Sequence, residues 1–384
     1  MQNKLLDYNI SIIKKCQLYA IIAFYKHTNR KNMSFIVSLL VLSFLIFFHE
    51  LGHFLAARAM NVKVLVFSIG FGKKLFSRQI GDTQWSISAI PLGGYVQMKG
   101  QDDSDPTKIS LDSDSYSTKT PLQRIFILVA GPFANFFLAF MLYLAMTDLG
   151  IPKPLPIIGE VSKDSPALAA GLQKGDKIIQ IDNMPILYWE DIADTIEKSN
   201  NTMDFRIERK GKIIDTRLTS KVITDQNIYG EAIERKIVGI VFSGDTTIVH
   251  YGFMDSIVYA WEKTIWASTL IFESLKKLIT GAVGLDKLGG VITIVDVTAQ
   301  ASSMGLIALL SFAALVSVNL GVLNLLPIPA LDGGHIMFNL YEMITRKAPS
   351  LEMMVRFTVV GWMILIALML IGLFNDINRL IGGG

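Results

Sequence analysis

Two histidines four residues apart, His49 and His53, enclose a glutamate in the run His49-Glu50-Leu51-Gly52-His53. On an α-helix, positions i and i+4 lie on one face. Both imidazoles can therefore reach a single metal ion, and zinc takes such nitrogen ligands. Glu50, next to the first histidine, is placed to take a proton from a water held by that ion. All three side chains sit inside an apolar run, where ionisable groups are expensive unless they serve a function.

Two histidines are one ligand short of a catalytic zinc site, which takes three protein ligands and leaves the fourth position open. Asp332 is the foremost candidate for the third, in the run Asn324-Leu325-Leu326-Pro327-Ile328-Pro329-Ala330-Leu331-Asp332-Gly333-Gly334-His335. The prolines and glycines break the helix there. Non-helical backbone at membrane depth is tolerated only where protein or a cavity covers it, and a broken segment can turn a carboxylate sideways toward a metal. His335 is a rival ligand or a supporting partner. Asn324 can hydrogen-bond beside the metal or a reacting carbonyl, or tie two helices together. His27 and His250 read as ordinary polar positions.

The elements that position these residues belong to a membrane protein. Of 384 residues, 51% are hydrophobic and only 18% charged, against about 25% charged in soluble chains. A single cysteine, Cys16, excludes a disulfide framework and cysteine-ligated clusters. A net charge of +3 carries no nucleic-acid signature. Four runs are long and apolar enough to span a bilayer: 33–60 with the zinc motif, 122–147, 305–334 with the broken helix and Asp332, and 357–374, with 335–356 as a loop. Residues 154–243 differ in character. Short strand-like runs such as Lys177–Ile181, a capped helix at Ser165–Gly171 and a second helix at Glu190–Lys198 make a compact α+β domain. Residues 252–300 read as an amphipathic helix followed by a connector, with Trp261 and Trp266 on its apolar face. Residues 61–121 form a glycine-punctuated β region, with Gln101–Thr120 expected to be a mobile loop.

Together these motifs resemble the site-2 protease family of intramembrane zinc metalloproteases, most closely the bacterial RseP type. The resemblance runs from Met33 to the C-terminus. The His49–His53 motif matches the family's zinc motif in the first span, and Gly131-Pro132-Phe133-Ala134-Asn135 matches a signature of the second. Asn324, Pro327, Pro329, Asp332 and Gly333 match the motif around the family's aspartate ligand. The resemblance implies a polytopic α-helical fold with a membrane-associated β-hairpin and an inserted PDZ domain at 154–243. It implies one Zn2+, Glu50 as general base, and hydrolysis within the bilayer of single-pass transmembrane substrates, pre-trimmed by another protease, such as anti-sigma factors or signal-peptide remnants. Ile90–Gly100, with Gly93, Gly94 and Tyr95, resembles the family's membrane-dipping hairpin and supplies an edge to hold substrate extended. The PDZ turn has Asp182-Asn183 where the family commonly has Asn-Gly, and Asn183 is expected to take the left-handed conformation.

The implied location is the bacterial inner membrane, with the PDZ domain outside. Lys63, Lys73, Lys74, Arg78, Arg346, Lys347 and Arg356 then fall on the cytoplasmic side, as the positive-inside rule asks. Residues 1–32 carry six basic residues that would fall outside, so Met33 is expected to be the true start or the extension to be processed. Two other classes are weaker. A silent PDZ scaffold has no need of Glu50, and a zinc transporter would spread its ligands along a path.

Overall fold

The computed structural model describes residues 35–101, 110–227 and 229–382. The N-terminal extension, with the question of Met33 and with His27, lies outside them. The chain opens with α1 (Phe35–Ala59), β1 (Val64–Ile80), β2 (Thr83–Met98) and α2 (Pro121–Leu149). Next come β3 (Ile151–Pro154), β4 (Ile158–Val161), α3 (Pro166–Ala169), β5 (Lys177–Ile181), β6 (Met184–Pro185) and α4 (Trp189–Lys198). Strands β7 (Thr202–Arg209), β8 (Lys212–Thr219), β9 (Lys221–Gln226), β10 (Ala232–Ile237), β11 (Ile240–Phe242) and β12 (Thr246–Val249) follow. The chain closes with α5 (Phe253–Ile279), α6 (Val291–Met304), α7 (Leu306–Asn324), α8 (Asp332–Thr345) and α9 (Leu351–Ile381). These elements make two compact units. Of the described residues, one unit holds those up to Tyr143, with Ala260–Glu273 and those from Gly284 on; the other holds those within Leu144–Tyr259 and Ser274–Val283.

In the first unit, α1, α2, α7 and α9 are the four helices among the described residues long and apolar enough to cross a membrane. A helix satisfies its own backbone groups, which is what an apolar solvent demands. Between α1 and α2 the two long strands fold into one sheet. Val66, Phe67, Ser68 and Ile69 pair with Gln84, Trp85, Ser86 and Ile87 on one side and with Gln97, Val96, Tyr95 and Gly94 on the other. The first half of β1 is thus flanked by two arms of β2. Ile90–Gly100 is therefore a turn plus a returning arm of β2 rather than a hairpin of its own. Val62, Val64, Met98, Tyr116 and Ile127 pack with Ala56 and Ala57 into the core where the sheet meets α1 and α2.

Three segments differ from the sequence reading. The stretch 110–120, expected to be a mobile loop, is irregular but tied down at points: Tyr116 is buried, and Lys99 holds Asp112 at 2.8 Å and Asp114 at 2.6 Å. Its Asp and Ser side chains form local bonds to one another and to the backbone, as Ser115 to Ser110 and Thr118 to Ser115. Part of the expected connector before the third span is helix α6. Its β-branched start, Val291-Ile292-Thr293-Ile294-Val295, hides the helix. Its N-terminal N–H groups are capped from far along the chain: the Asp376 carboxylate accepts from Gly290, Ile292 and Thr293. The expected loop 335–356 is mostly helix: α8, which restarts at Asp332, takes its first half, and the start of α9 takes its end. Gly333 and Gly334, read as breakers, instead let the new helix pack on the preceding chain. A Cβ on Gly333 would lie 2.2 Å from the Leu326 carbonyl oxygen. Arg346, left-handed at φ 57°, ends α8, and α9 starts at Leu351, six residues before the expected span.

The second unit is α+β. Its largest sheet has the order β6-β5-β7-β8, with the pairs β3–β12, β4–β11 and β9–β10 beside it. Ile158, Leu172, Ile178, Ile181, Met203, Phe205 and Ile207 are fully buried. Ser165 caps α3 by accepting from Leu168 N–H at 3.2 Å. Asp176, fully buried, accepts both Nε (2.6 Å) and Nη2 (2.7 Å) of Arg209. In the turn between β5 and β6, Asp182 takes the left-handed conformation (φ 50°), not Asn183. Asp182 Oδ1 accepts from Asp204 N–H, which holds that residue in place. Helix α5 runs through both units, and its Trp261 and Trp266, in the part that belongs to the first, are exposed.

Candidate metal centre

His49 and His53 point from one face of α1 toward Asp332 at the start of α8. Their Nε2 atoms lie 3.2 Å apart, and Asp332 Oδ2 lies 3.3 Å from the first and 3.4 Å from the second. Among the described residues these three form the one cluster of metal-ligating side chains, with donor atoms all within 4.8 Å of one another. His335, the rival ligand, is not in it; its ring stands edge-on to Phe338.

The donor set fits zinc. A tetrahedral ion about 2.0–2.2 Å from each donor spaces the donors about 3.4 Å apart, which is the spacing found. Asp332 Oδ2 is buried without a hydrogen-bond partner, a costly state for a carboxylate oxygen unless a cation answers it. His53 Nδ1 lies 2.9 Å from the Ile127 carbonyl oxygen. A carbonyl can only accept, so Nδ1 carries the proton and the Nε2 lone pair faces the other two donors.

Close helix contacts make this possible. A Cβ on Gly131 would lie 2.2 Å from His53 Nε2, and one on Gly52 would lie 2.2 Å from the Ala130 carbonyl oxygen. Only glycine at both positions lets α1 and α2 meet with an imidazole between them. Pro132, inside α2, cannot donate to the carbonyl four residues earlier. On α7, Ser317 Oγ donates to the Asn135 carbonyl at 2.8 Å. The end of that helix brings Asn324 Nδ2 to 3.3 Å from His49 Nε2.

The β2 residues fall at different distances from the cluster. Gly94 lies against α1: a Cβ there would be 3.1 Å from Glu50 Cγ and 3.0 Å from Ile46 Cγ2. Tyr95 stacks on Phe71, with ring centres 6.3 Å apart. Gly93 lies under the same Phe71 ring, with its φ of +155° and a Cβ position 1.9 Å from the ring leaving room for glycine alone. Gly94 thus joins the site, whereas Gly93 and Tyr95 shape the turn beside it. Sequence reasoning did not assign roles to Gly131, Asn135 and the Ile127 carbonyl. The Gly131–Asn135 signature was the available signal, since an asparagine in an apolar span asks for a buried partner.

A sequence model described as Peptidase family M50 matches residues 37–368. The chain belongs to peptidase family M50. A Campylobacter jejuni protein named, by inference, as a zinc metalloprotease is 46% identical over 351 residues, covering 91% of this chain and 95% of its own length. A similarly named protein of Helicobacter pylori strain J99 is 41% identical over 353 residues, covering 90% and 100%. The Regulator of sigma-W protease RasP of Bacillus subtilis is 29% identical, covering 90% of this chain and 98% of its own length. The chain is therefore a zinc metalloprotease of the site-2 protease family, and its four long apolar helices make it a multi-pass membrane protein.

Proposed function

We propose that the chain hydrolyses peptide bonds within single-pass transmembrane segments, using His49, His53 and Asp332 as zinc ligands and Glu50 as general base. The observation that carries this reading is the convergence of two Nε2 atoms and a carboxylate oxygen that has no hydrogen-bond partner, all within 3.2–3.4 Å of one another. The site is built on helix α1, which is long and apolar enough to span a membrane. Zinc, when bound, supplies Lewis-acid polarisation of the scissile carbonyl and acidifies the attacking water. Glu50 takes the proton from that water and passes it to the leaving amine. Asn324, with its amide nitrogen 3.3 Å from His49 Nε2, donates to the oxygen on which negative charge develops.

A helical substrate hides its amides in its own hydrogen bonds and must unwind before it can be cut. The returning arm of β2, Gly94–Met98, pairs with β1 along one side, and among the described residues no strand pairs with its other side. Gly94 places that arm against Glu50. An unwound substrate added to this edge as a further strand runs past the general base. Residues 154–243, within the second unit, serve as a PDZ domain outside the inner membrane that screens substrates by the size of their extracytoplasmic part. The left-handed glycines Gly171 and Gly175 and the buried Asp176 support that assignment. By likeness to the sigma-W regulator, an anti-sigma factor pre-trimmed by another protease is a suitable substrate, as are signal-peptide remnants. A catalytically silent scaffold is disfavoured by the complete set of Glu50 and three ligands.

The test is cleavage of a single-pass model substrate in proteoliposomes by wild type and by Glu50→Gln, with zinc measured on both. Cleavage by wild type alone, with about one zinc in each, is the expected result. A wild type that holds zinc but cleaves none of a panel of trimmed single-pass substrates would put the scaffold reading in its place.

A further inference from the structure

Asn135 is fully buried on α2, and its side-chain amide faces His49. As placed, its Nδ2 lies 3.2 Å from His49 Nδ1, while its Oδ1 is buried with no hydrogen-bond partner. At the other side of the same ring, Asn324 Nδ2 lies 3.3 Å from Nε2. Two amide nitrogens therefore face the two nitrogens of one imidazole. An amide nitrogen only donates, and a neutral imidazole has a single lone pair. At least one of the two amides must be turned over, since the oxygen and nitrogen of an asparagine are distinguished only by their hydrogen bonds.

The surroundings decide which one. His49 Nε2 faces His53 Nε2 and Asp332 Oδ2, so its lone pair belongs there and the ring proton belongs on Nδ1. A proton on Nδ1 needs an acceptor. Turning the Asn135 amide by 180° puts Oδ1 in that place and removes the unpartnered buried oxygen in the same step. We propose that Asn135 is a positioning residue: its Oδ1 accepts the His49 Nδ1 proton, so fixing the tautomer and ring direction that aim Nε2 at the metal. The Ile127 carbonyl does the same for His53. Helix α2 thus orients both histidines of α1, one through its backbone and one through a side chain. Ser317 on α7 holds the backbone of that asparagine in turn.

The inference rests on the metal centre proposed above, and its test separates the two. Zinc affinity is measured by chelator competition on the purified full chain in detergent, for wild type, Asn135→Leu and Asn135→Asp. The Co2+ ligand-field spectrum and the thermal unfolding of the zinc-free protein are recorded alongside. Loss of such a supporting partner lowers metal affinity by about 10–100-fold, and that is expected for Asn135→Leu. Asn135→Asp keeps an acceptor but has no donor. It is expected to bind zinc as tightly as wild type, within about threefold, and to keep the tetrahedral cobalt spectrum. If Asn135→Asp loses affinity as far as Asn135→Leu, the amide acts as a donor and the inference is overturned. It is equally overturned if a folded Asn135→Leu binds zinc like wild type. Should the leucine variant fail to fold, Asn135→Ala carries the same comparison. A wild type that holds no zinc overturns the metal centre itself.

Discussion

Alanine at Gly131 adds one methyl group to α2, and that methyl has nowhere to go. Its carbon would lie 2.2 Å from His53 Nε2, 2.5 Å from Cε1 and 2.8 Å from Cδ2. Ordinary carbon contacts begin at about 3.5 Å, so the ring must retreat by roughly 1.3 Å. A zinc–nitrogen bond tolerates about 0.2 Å. The retreat also strains the 2.9 Å bond from Nδ1 to the Ile127 carbonyl, which sets the tautomer. One of the three proposed ligands is therefore lost or misaimed. We expect zinc affinity to fall by at least about 100-fold, equivalent to about 2.7 kcal/mol, and kcat/KM to fall by at least as much. The helix itself gains from the change, since alanine is favoured over glycine by about 0.5–1 kcal/mol inside a helix. Weakening of α2 cannot then be offered as the cause. Chelator competition gives the affinity, cleavage of a model substrate gives the rate, and thermal unfolding of the zinc-free variant checks the fold. A folded Gly131→Ala variant with zinc affinity and activity within about threefold of wild type would refute the packing argument.

Three further outcomes are expected. Glu50→Gln should hold zinc yet lose cleavage by a factor of about 100 or more, whereas His53→Ala and Asp332→Ala should lose both; equal zinc loss in all three would contradict the assigned roles. Gly94→Ala crowds the Ser68 carbonyl oxygen at 2.9 Å and Glu50 Cγ at 3.1 Å, so kcat should fall while zinc content stays at wild-type level, which metal analysis beside single-turnover cleavage would check. Arg209→Met strips the buried Asp176 of its bidentate partner, and the second unit should lose about 3–5 kcal/mol; unchanged urea unfolding of that unit would show the pair to be dispensable.

The site was legible because its chemistry is local. His49, Glu50 and His53 share a helix face by spacing alone, and Asp332 stands in a run whose prolines and glycines break the third span. The supporting contacts were not legible, because they depend on which helices meet. Nothing in the sequence says that Gly131 lies against His53, or that the Asn135 amide reaches His49 across 86 residues. Helix α6 was missed for a related reason. Its start is β-branched and looks unlike a helix, and the carboxylate that caps it comes from Asp376 near the end of the chain. In the stretch 110–120, Asp and Ser side chains close local hydrogen bonds over a buried tyrosine, a pattern that residue types alone do not announce. At Asp332, glycines read as breakers turned out to permit a tight restart of the helix.

The most direct test of the account is the position of the cut. A single-pass substrate is incubated with wild-type protein and zinc in proteoliposomes, and the intact masses of both products are read. The account predicts one dominant, chelator-sensitive cut inside the membrane-spanning segment, absent with Glu50→Gln. Cleavage only in the flanking soluble regions, or cleavage that survives Glu50→Gln, would contradict it.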